Sequence, residues 1–176
     1  LLDRIIVVSN FDYQLALNKS ICSADKLAII HNGIANTVEN VERVENDLVN
    51  LVMIARFDHQ KDHISLIKAC KEMQGIRLHL IGDGPQLNEI KNRVLTYGMK
   101  SKVEFWGQTK EVPKALQMAD IFLLISNWEG FPISTLEAMN RGLPVIVSDV
   151  GGACEAVKDG INGYCIPRGQ VDLLKQ

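Results

Sequence analysis

The chain has 176 residues, which is the size of one ordinary domain or one domain with part of another, and this length excludes a second full domain. Hydrophobic residues make up 47% of the sequence and charged residues 23%, so a buried core is expected and general disorder is not. With 19 basic and 21 acidic residues the formal net charge is -2, and no basic run is present. This balance argues against nucleic-acid binding through bulk charge.

No apolar run approaches the roughly 20 residues that span a bilayer, and the first residues lack the basic region and cleavage site of a secretion signal. The chain starts with Leu1 in an apolar stretch, so we expect it to be a piece of a longer polypeptide. Four cysteines are far apart, form no CxxC pair and have apolar neighbours: Cys22, Cys70, Cys154 and Cys165. This pattern predicts reduced, buried thiols in a cytosolic protein, with metal binding or catalysis as the alternatives.

Eight short apolar runs, rich in β-branched residues, alternate with amphipathic stretches along the chain. Runs this apolar are typical of strands that are buried on both faces of a sheet. The predicted strands cover residues 4–8, 27–30, 48–54, 76–81, 102–106, 120–125, 144–148 and 163–166. Their alternation with helices predicts an α/β fold, in which a Rossmann-like parallel sheet carries helices on both faces.

Two of the amphipathic stretches have apolar residues at helical spacing, and the second ends at Gly98, where a helix-terminating glycine belongs. The two apolar faces are Leu66, Ile67, Cys70 and Met73, and Leu87, Ile90, Val94 and Tyr97. Residues 35–49 break the alternation, because acidic side chains crowd a stretch with only isolated valines. We interpret these residues as a surface connector, and an ordinary long loop is an equal alternative.

In an open parallel sheet the ligand site lies at the carboxyl ends of the strands, so the loops there contain the candidate site residues. The loop after the third predicted strand contains Arg56 and Lys61. Two cations at this edge suit a diphosphate, although two solvated surface residues are the alternative. The loop at 82–85 has the sequence Gly-Asp-Gly-Pro, which lacks the GxGxxG spacing. It is either a turn that brings the backbone close to a ligand or a plain strand-to-helix turn.

The loop after the sixth predicted strand is the most informative part of the sequence. Gly130 and Pro132 mark a turn before a helix predicted for residues 133–141. Glu129 therefore lies in the loop, and Glu137 lies more than one turn inside the helix. Five helical residues advance about 7 to 8 Å, which exceeds the roughly 5 to 5.5 Å between the carboxylates of a retaining glycosidase. Two hydroxyl acceptors along an extended ligand fit this spacing, and two solvent-facing acids fit it equally well.

The start of the same helix presents free backbone N–H groups at Ile133, Ser134 and Thr135, which favour an anion. An elongated ligand with hydroxyls at each end and phosphate in the middle fits these loops, and a nucleotide-sugar has that composition. The histidines show neither a metal-ligand spacing nor a nearby nucleophile, and packing or surface roles are expected for all four. These are His31, His59, His63 and His79.

Six motifs, in their order and spacing, resemble the carboxyl-terminal half of retaining GT-B glycosyltransferases, and more narrowly glycosyltransferase family 4, the glycosyl transferases group 1 type. They are Arg56 with Lys61, and residues 82–85, 129–132, 137–139, 142–145 and 151–152. The motifs cover residues 50 to about 167, and the opening part of the chain is similar to the end of that family's first domain and its hinge. Ala55 and Asp62 depart from the pattern, because the family often has glycine at both positions.

The resemblance implies three parts of the chain. Residues 1–34 are the end of an N-terminal domain and the interdomain hinge, residues 35–49 are a connector, and residues 50–176 are the nucleotide-sugar-binding donor domain. The rest of the N-terminal domain, which in this family supplies acceptor binding and a catalytic histidine, is absent from the sequence. The isolated fragment is therefore expected to be inactive.

The resemblance also implies roles for individual residues. Glu129 and Glu137 match the family's E-x7-E motif, whose first Glu contacts the transferred sugar and whose second binds the ribose hydroxyls. Arg56 and Lys61 match the pair that holds the diphosphate and stabilises charge on the leaving group, so Glu129, Arg56 and Lys61 are the catalytic candidates. The sugar and phosphate are expected against Gly130, Phe131, Pro132, Ile133, Ser134 and Thr135. The base is expected near Gly107 and Gln108, mostly through backbone groups.

The function implied is hexosyl transfer from a nucleoside-diphosphate sugar, expected to be a UDP-sugar, to an acceptor with retention of configuration. No cofactor is expected, and the lack of a DxD motif agrees with metal independence. The expected partners are the donor and the missing domain, without nucleic acid. The expected location is cytoplasmic, at the inner face of the cell membrane, with peripheral attachment through the missing domain and a role in polysaccharide biosynthesis. The alternatives are a sugar-nucleotide epimerase or hydrolase of the same fold, and a non-catalytic nucleotide-binding module.

Overall fold

The computed structural model describes residues 3–36, 47–110 and 112–175. The described strands are β1 Ile5–Val7, β2 Leu27–Ile29, β3 Val49–Ile54, β4 Ile76–Ile81, β5 Val103–Gly107, β6 Ile121–Leu124, β7 Val145–Asp149 and β8 Gly163–Pro167. The α-helices are α1 Asn10–Asn18, α2 His63–Glu72, α3 Leu87–Thr96, α4 Val112–Gln117 and α5 Ile133–Asn140, and short 3₁₀ helices cover Ala24–Lys26, Ala153–Ala156 and Val171–Lys175. None of the helices in the described ranges is long and apolar enough to cross a bilayer.

All eight predicted strands are confirmed, each with its ends within one residue of the expected position. The three predicted helices are confirmed as α2, α3 and α5, and Gly98 follows the last turn of α3 with its N–H on Leu95 O at 3.0 Å. Of the predicted connector at 35–49, residues 37–46 lie outside the described residues, and β3 already begins at Val49.

The main sheet has six parallel strands in the order β5-β4-β3-β6-β7-β8. The chain runs outwards from β3 to β5, returns to place β6 beside β3, and then continues in the opposite direction to β8. Because crossovers between parallel strands are almost always right-handed, the two directions of this strand order put α2 and α3 on one face of the sheet and α5 on the other. The predicted α/β fold, a parallel sheet with helices on both faces, is confirmed.

The core is centred on β3, whose neighbours β4 and β6 cover both of its edges. Val52 and Met53 have no exposed surface, because α-helices cover the sheet on either side. Phe122 on β6 is equally buried beside Val52, and the buried Phe57 in the loop after β3 extends the core towards the carboxyl ends of the strands. This packing fixes the starting point of each loop that follows a strand.

The first residues form a separate β-α-β unit. Strands β1 and β2 pair in parallel, with Ile5 opposite Leu27, and α1 connects them. The side chain of Ser9 caps α1 by accepting the N–H of Asp12 at 3.0 Å. Ser9 and Val8 also lie against the main domain, where they contact the backbone around two glycines described below.

The cysteine prediction is fully confirmed only for Cys70, because two of the other residues form a disulfide and Cys22 is free but only partly buried. Cys154 and Cys165 form a disulfide, with their Cα atoms 6.0 Å apart. The bond joins the 3₁₀ helix after β7 to the neighbouring strand β8. The order of strands in the sheet brings these two cysteines together, and no CxxC spacing in the sequence predicts it. Cys70 is a buried free thiol, as expected, and burial raises its pKa to about 12. The cysteine pattern therefore no longer supports the cytosolic location inferred from it.

Candidate active site

The loops after β3 and β6 meet where the chain reverses its direction across the sheet. The N–H of Asp62 donates to Ile125 O at 2.9 Å, and the N–H of Asn127 donates to Gln60 O at 2.7 Å. In open parallel sheets such a switch point opens a crevice at the carboxyl ends of the strands, and ligands bind there. Both loops that the sequence singled out for catalytic residues therefore border one crevice.

Lys61 and Glu129 form an ion pair inside this crevice. Their side chains are only 13% and 6% exposed, so each charge depends on the other for compensation. The hydroxyl of Ser126 also donates to Glu129 Oε1 at 2.6 Å, and Gln60 Nε2 lies 3.3 Å from Oε2. The alternative of a solvent-facing Glu129 is thus wrong. Lys61 is not a free cation, because it neutralises this carboxylate.

Two side chains that were not predicted from the sequence bind the Glu129 carboxylate, namely Gln60 and Ser126. Gln60 Nε2 donates to Trp128 O at 3.0 Å as well, so one amide ties the β3 loop to two successive residues of the β6 loop. Ser126 lies three residues before Glu129, a spacing that could have indicated the contact. For Gln60 no local spacing exists, because its partners follow about 70 residues later.

Arg56 lies on a different side of the β3 loop. Its side chain is 72% exposed, and Nε is 3.6 Å from a carboxylate oxygen of Asp58. It lines a cavity of about 490 Å³ together with Gln108 and the backbone at 82–84. Arg56 and Gln108 thus share a cavity, whereas Lys61 is turned towards Glu129. Gly107 ends β5 beside this cavity and accepts the N–H of Gly82 at 2.9 Å.

The glycines of the Gly-Asp-Gly-Pro turn bring its backbone against the Arg56 loop. A Cβ on Gly82 would lie 2.0 Å from Ala55 O, and one on Gly84 would lie 2.4 Å from Phe57 O. The N–H of Phe57 also donates to Asp83 O at 3.0 Å. These glycines therefore allow the turn to approach the loop after β3 rather than a ligand. The contacts fix the backbone of that loop on both sides of Arg56.

Helix α5 begins at Ile133 as predicted, and its N-cap residue Pro132 makes no side-chain capping bond. The first N–H groups, at Ile133, Ser134 and Thr135, carry the positive end of the helix dipole. Thr135 is buried, and its hydroxyl has no hydrogen-bond partner among the described residues. An anion at this helix start would receive backbone hydrogen bonds.

Glu137 lies one turn further along α5, half-buried at a second cavity of about 580 Å³. Ile34, Lys110 and Asn140 line the same cavity. Burial raises the pKa of the Glu137 carboxyl. The two glutamates of the motif thus have different surroundings, one in a buried ion pair and the other at the wall of an open cavity. Their roles towards a ligand stay predictions.

Residues from the first part of the chain contact the loop between the two glutamates. Asn32 Nδ2 donates to Phe131 O at 2.7 Å, and the His31 ring packs on the Phe131 ring with centroids 4.5 Å apart. A Cβ on Gly130 would lie 3.1 Å from a methyl group of Val8. None of these contacts was predicted, because all join residues about 100 positions apart or more.

On its other side the same loop rests on two glycines after β7. A Cβ on Gly151 would lie 1.8 Å from Glu129 O, and one on Gly152 would lie 2.4 Å from Gly130 O. Gly151 also has a φ of +57°, which side chains rarely adopt. The Gly151–Gly152 pair therefore provides the space in which the backbone of Glu129 and Gly130 lies.

A family model described as glycosyl transferases group 1 matches residues 36–176. The chain belongs to the glycosyl transferases group 1 family. This part of the resemblance is confirmed, and the matched residues include the ion pair of Lys61 and Glu129 as well as Glu137.

Individual relatives agree with this assignment. The chain is 26% identical over 187 residues to the UDP-Gal:alpha-D-GlcNAc-diphosphoundecaprenol alpha-1,3-galactosyltransferase of Escherichia coli, and the match covers 96% of this chain and 48% of that protein. The fold of this chain matches that of HepE of Anabaena, solved in complex with UDP-glucose, with a TM-score of 0.87 at 23% identity. The match covers 98% of this chain and 52% of HepE.

It also matches the lipopolysaccharide outer core galactosyltransferase WaaB, with a TM-score of 0.85 at 25% identity, over 98% of this chain and 51% of WaaB. The chain thus spans about half the length of these three proteins. Its fold is that of the C-terminal half of a GT-B glycosyltransferase, as predicted.

Proposed function

We propose that this chain is the donor-binding part of a retaining glycosyltransferase of family 4, which transfers a hexosyl group from a UDP-sugar to an acceptor. The observation that carries the proposal is the buried pair of Lys61 and Glu129 at the switch point of the sheet. Family membership supports transfer. The UDP-Gal in the name of the E. coli relative and the UDP-glucose bound to HepE support the uridine nucleotide.

In this proposal the diphosphate lies between Arg56 and the start of α5. The guanidinium supplies a forked set of donors, and the N–H groups at 133–135 supply the helix dipole. Lys61 keeps its bond to Glu129 and donates a further hydrogen bond at the sugar end of the diphosphate, because an ammonium group has three donors. Departure of the nucleoside diphosphate passes through an oxocarbenium-like state, so stabilising the leaving charge is the main task of these groups. They can do this without a metal ion or a cofactor.

Glu129 then accepts hydrogen bonds from hydroxyls of the transferred sugar, next to the backbone of residues 130–132. Glu137 accepts the ribose hydroxyls, which would enter the 580 Å³ cavity beside it. The base lies against Gly107 and Gln108. Retention results from front-face attack by the acceptor on the side from which the diphosphate leaves.

The acceptor and the catalytic histidine belong to an N-terminal domain of the same polypeptide in this proposal. Residues 1–34 would be its end and the hinge, which agrees with the contacts of His31 and Asn32 to the donor-binding loop. The reaction would take place on the cytoplasmic side of the cell membrane, in polysaccharide assembly.

Calorimetric titration of the chain with UDP, GDP, ADP and NAD tests the nucleotide. We expect selective binding of UDP, which Glu137→Ala weakens about tenfold or more because a charge-assisted hydrogen bond is lost. Glu89→Ala is the matched control, since Glu89 is an exposed helical glutamate paired with Arg93. Equal or absent binding of all four ligands, or identical UDP affinity in the Glu137 variant, contradicts the proposal.

A second experiment tests the reaction. The complete polypeptide is incubated with UDP-glucose or UDP-galactose and a membrane extract as acceptor, and the fate of the sugar is followed. Transfer of the sugar to the acceptor is expected. Free or epimerised sugar without a transferred product would favour the hydrolase or epimerase alternative.

A further inference from the structure

The carboxylate of Glu155 receives four hydrogen bonds from the first part of the chain. Oε2 accepts the backbone N–H and the side-chain amide of Asn10, both at 2.9 Å, and Oε1 accepts the N–H of Phe11 at 2.9 Å. His31 Nε2 lies 3.0 Å from Oε2 and must be the donor, because an ionised carboxylate only accepts. Glu155 itself follows β7, more than 120 residues away from all of these partners.

These contacts satisfy one end of α1. Asn10 and Phe11 are the first two residues of the helix, so their N–H groups have no partner within it. A carboxylate at this end also interacts favourably with the helix dipole. Burial alone would raise the pKa of Glu155, but the hydrogen bonds from the N–H groups of Asn10 and Phe11, from His31 and from the Asn10 side chain together lower the pKa to about 2. Glu155 thus stays ionised and fixes the start of α1 to the main domain.

The fourth contact leads to the loop at residues 129–132, which we call the donor loop. The ring of His31 contacts Glu155 at Nε2 and packs against Phe131 with its face. The next residue, Asn32, holds the carbonyl of Phe131. Phe131 is followed by Pro132, which precedes the free N–H groups of α5. A single side chain therefore separates Glu155 from the donor loop.

The other side of the donor loop depends on the same segment as Glu155. Gly151 and Gly152 provide space for the backbone of Glu129 and Gly130, and Gly152 donates its N–H to Glu129 O at 3.3 Å. Glu155 in turn donates its own N–H to Gly152 O at 3.1 Å. The donor loop is thus enclosed between the glycine pair and His31, and Glu155 bonds to both.

We propose that Glu155 is a positioning residue for the donor loop: by holding His31 and the start of α1 it fixes Phe131, and with it the first turn of α5. The nature of the ligand at this loop rests on the proposed function, whereas the positioning itself does not. Glu155 needs no contact with the ligand in this role. Glu155 affects ligand binding because it fixes the conformation of residues 129–135.

Hydrogen exchange of the chain tests the positioning directly. In Glu155→Ala, the amides of 130, 131 and 133–135 are expected to exchange about tenfold faster, because the hydrogen bonds that hold the segment are lost. In Glu155→Gln they should stay within about threefold of the parent chain, since the amide oxygen can still accept the bonds from Asn10 and His31 at the Oε2 position, and only the bond from the Phe11 N–H is lost. The control Glu89→Ala should leave these amides unchanged, and amides in α2 and α3 should be unchanged in every variant.

His31→Ala separates the two routes from Glu155. It removes the contact with Phe131 but leaves the bonds to α1, so it should loosen the donor loop without loosening α1. UDP titration gives the functional readout, with binding about tenfold weaker in Glu155→Ala and restored to within about threefold in Glu155→Gln. The loss of UDP binding should accompany faster exchange in the donor loop while α2 and α3 stay unchanged, which a purely structural role would not produce, because all amides would then respond alike.

Two results overturn the proposal. The first is faster exchange in α1 alone, with unchanged amides in the donor loop of both Glu155→Ala and His31→Ala. The second is a uniform acceleration over the whole chain, which would indicate general destabilisation. If the parent chain binds no UDP while the loop amides respond as expected, the positioning role is supported and the proposed function fails.

Discussion

His63, at the edge of the candidate site, should make the free energy of unfolding depend on pH. It is the first residue of α2, two positions after Lys61, and only 1% of its surface is exposed. Its ring stacks on Phe57 with centroids 4.2 Å apart and planes inclined by 11°. Burial disfavours the charged form and lowers the pKa of His63 from 6.5 to about 4.

The direction and size of the effect follow from this pKa. Between pH 6.5 and pH 4 the unfolded chain binds a proton at His63 that the folded chain does not, so the free energy of unfolding falls as the pH falls. A difference of about 2.5 pKa units at 1.36 kcal/mol each corresponds to about 3 kcal/mol. This stability is fully present above pH 6.5 and is lost on acidification to about pH 4.

Urea unfolding at pH 7, 5.5 and 4.5 measures the effect in the parent chain and in His63→Phe, which retains the stacking but cannot titrate. The advantage of the parent over the variant should shrink by more than 2 kcal/mol over this range, as most of the titration is then complete. Because the comparison is between two chains, contributions of other groups cancel, including the buried His79, whose pKa is also lowered by burial. His59→Gln, at an exposed histidine, should follow the parent profile. Parallel profiles of the parent and His63→Phe would show that His63 does not cause this loss of stability.

Two further predictions concern the crevice. Gly151→Ala would place a methyl group 1.8 Å from Glu129 O, so the backbone must move, and UDP binding should weaken at least tenfold. The control is Gly142→Ala, whose methyl group would meet nothing within 4 Å and which should lower the free energy of unfolding by only about 1 kcal/mol because of its positive φ. Equal effects of the two variants on UDP affinity would contradict this prediction. Lys61→Met leaves Glu129 buried without its cation and should lower the free energy of unfolding by about 3 to 5 kcal/mol. Adding Glu129→Gln should recover most of that loss in urea unfolding, and additive losses would show that the two side chains are not coupled.

The sequence predicted the sheet well for a physical reason. Strands buried on both faces are predominantly apolar, and such runs are visible locally, as in residues 51–54 of β3 and in β6. The positions of Arg56, Lys61 and Glu129 in loops after strands followed from the same pattern. The contacts between loops were not predictable, because they depend on which strands are neighbours. The pair of Lys61 and Glu129 requires β3 beside β6, and the Cys154–Cys165 bond requires β7 beside β8.

The bonds of Glu155 were the least predictable feature of all. Asn10 and Glu155 are separated by 145 residues, and neither belongs to a motif that indicates the other. A lone glutamate after two glycines has no periodicity that would distinguish it from a solvated residue. Only the packing of the first β-α-β unit against the main domain gives it four donors.

The central place of β3 also determines when the site can form during folding. β3 is the first strand of the main sheet to leave the ribosome, and β4 can pair with it after a short crossover. Its other neighbour, β6, follows only about 70 residues later, as in the pairing of Leu51 with Ile121. Until then β3 exposes an unpaired, apolar edge, which is open to association with other chains. Lys61 and Glu129 belong to the two halves of the sheet, so the crevice exists only once those halves have joined.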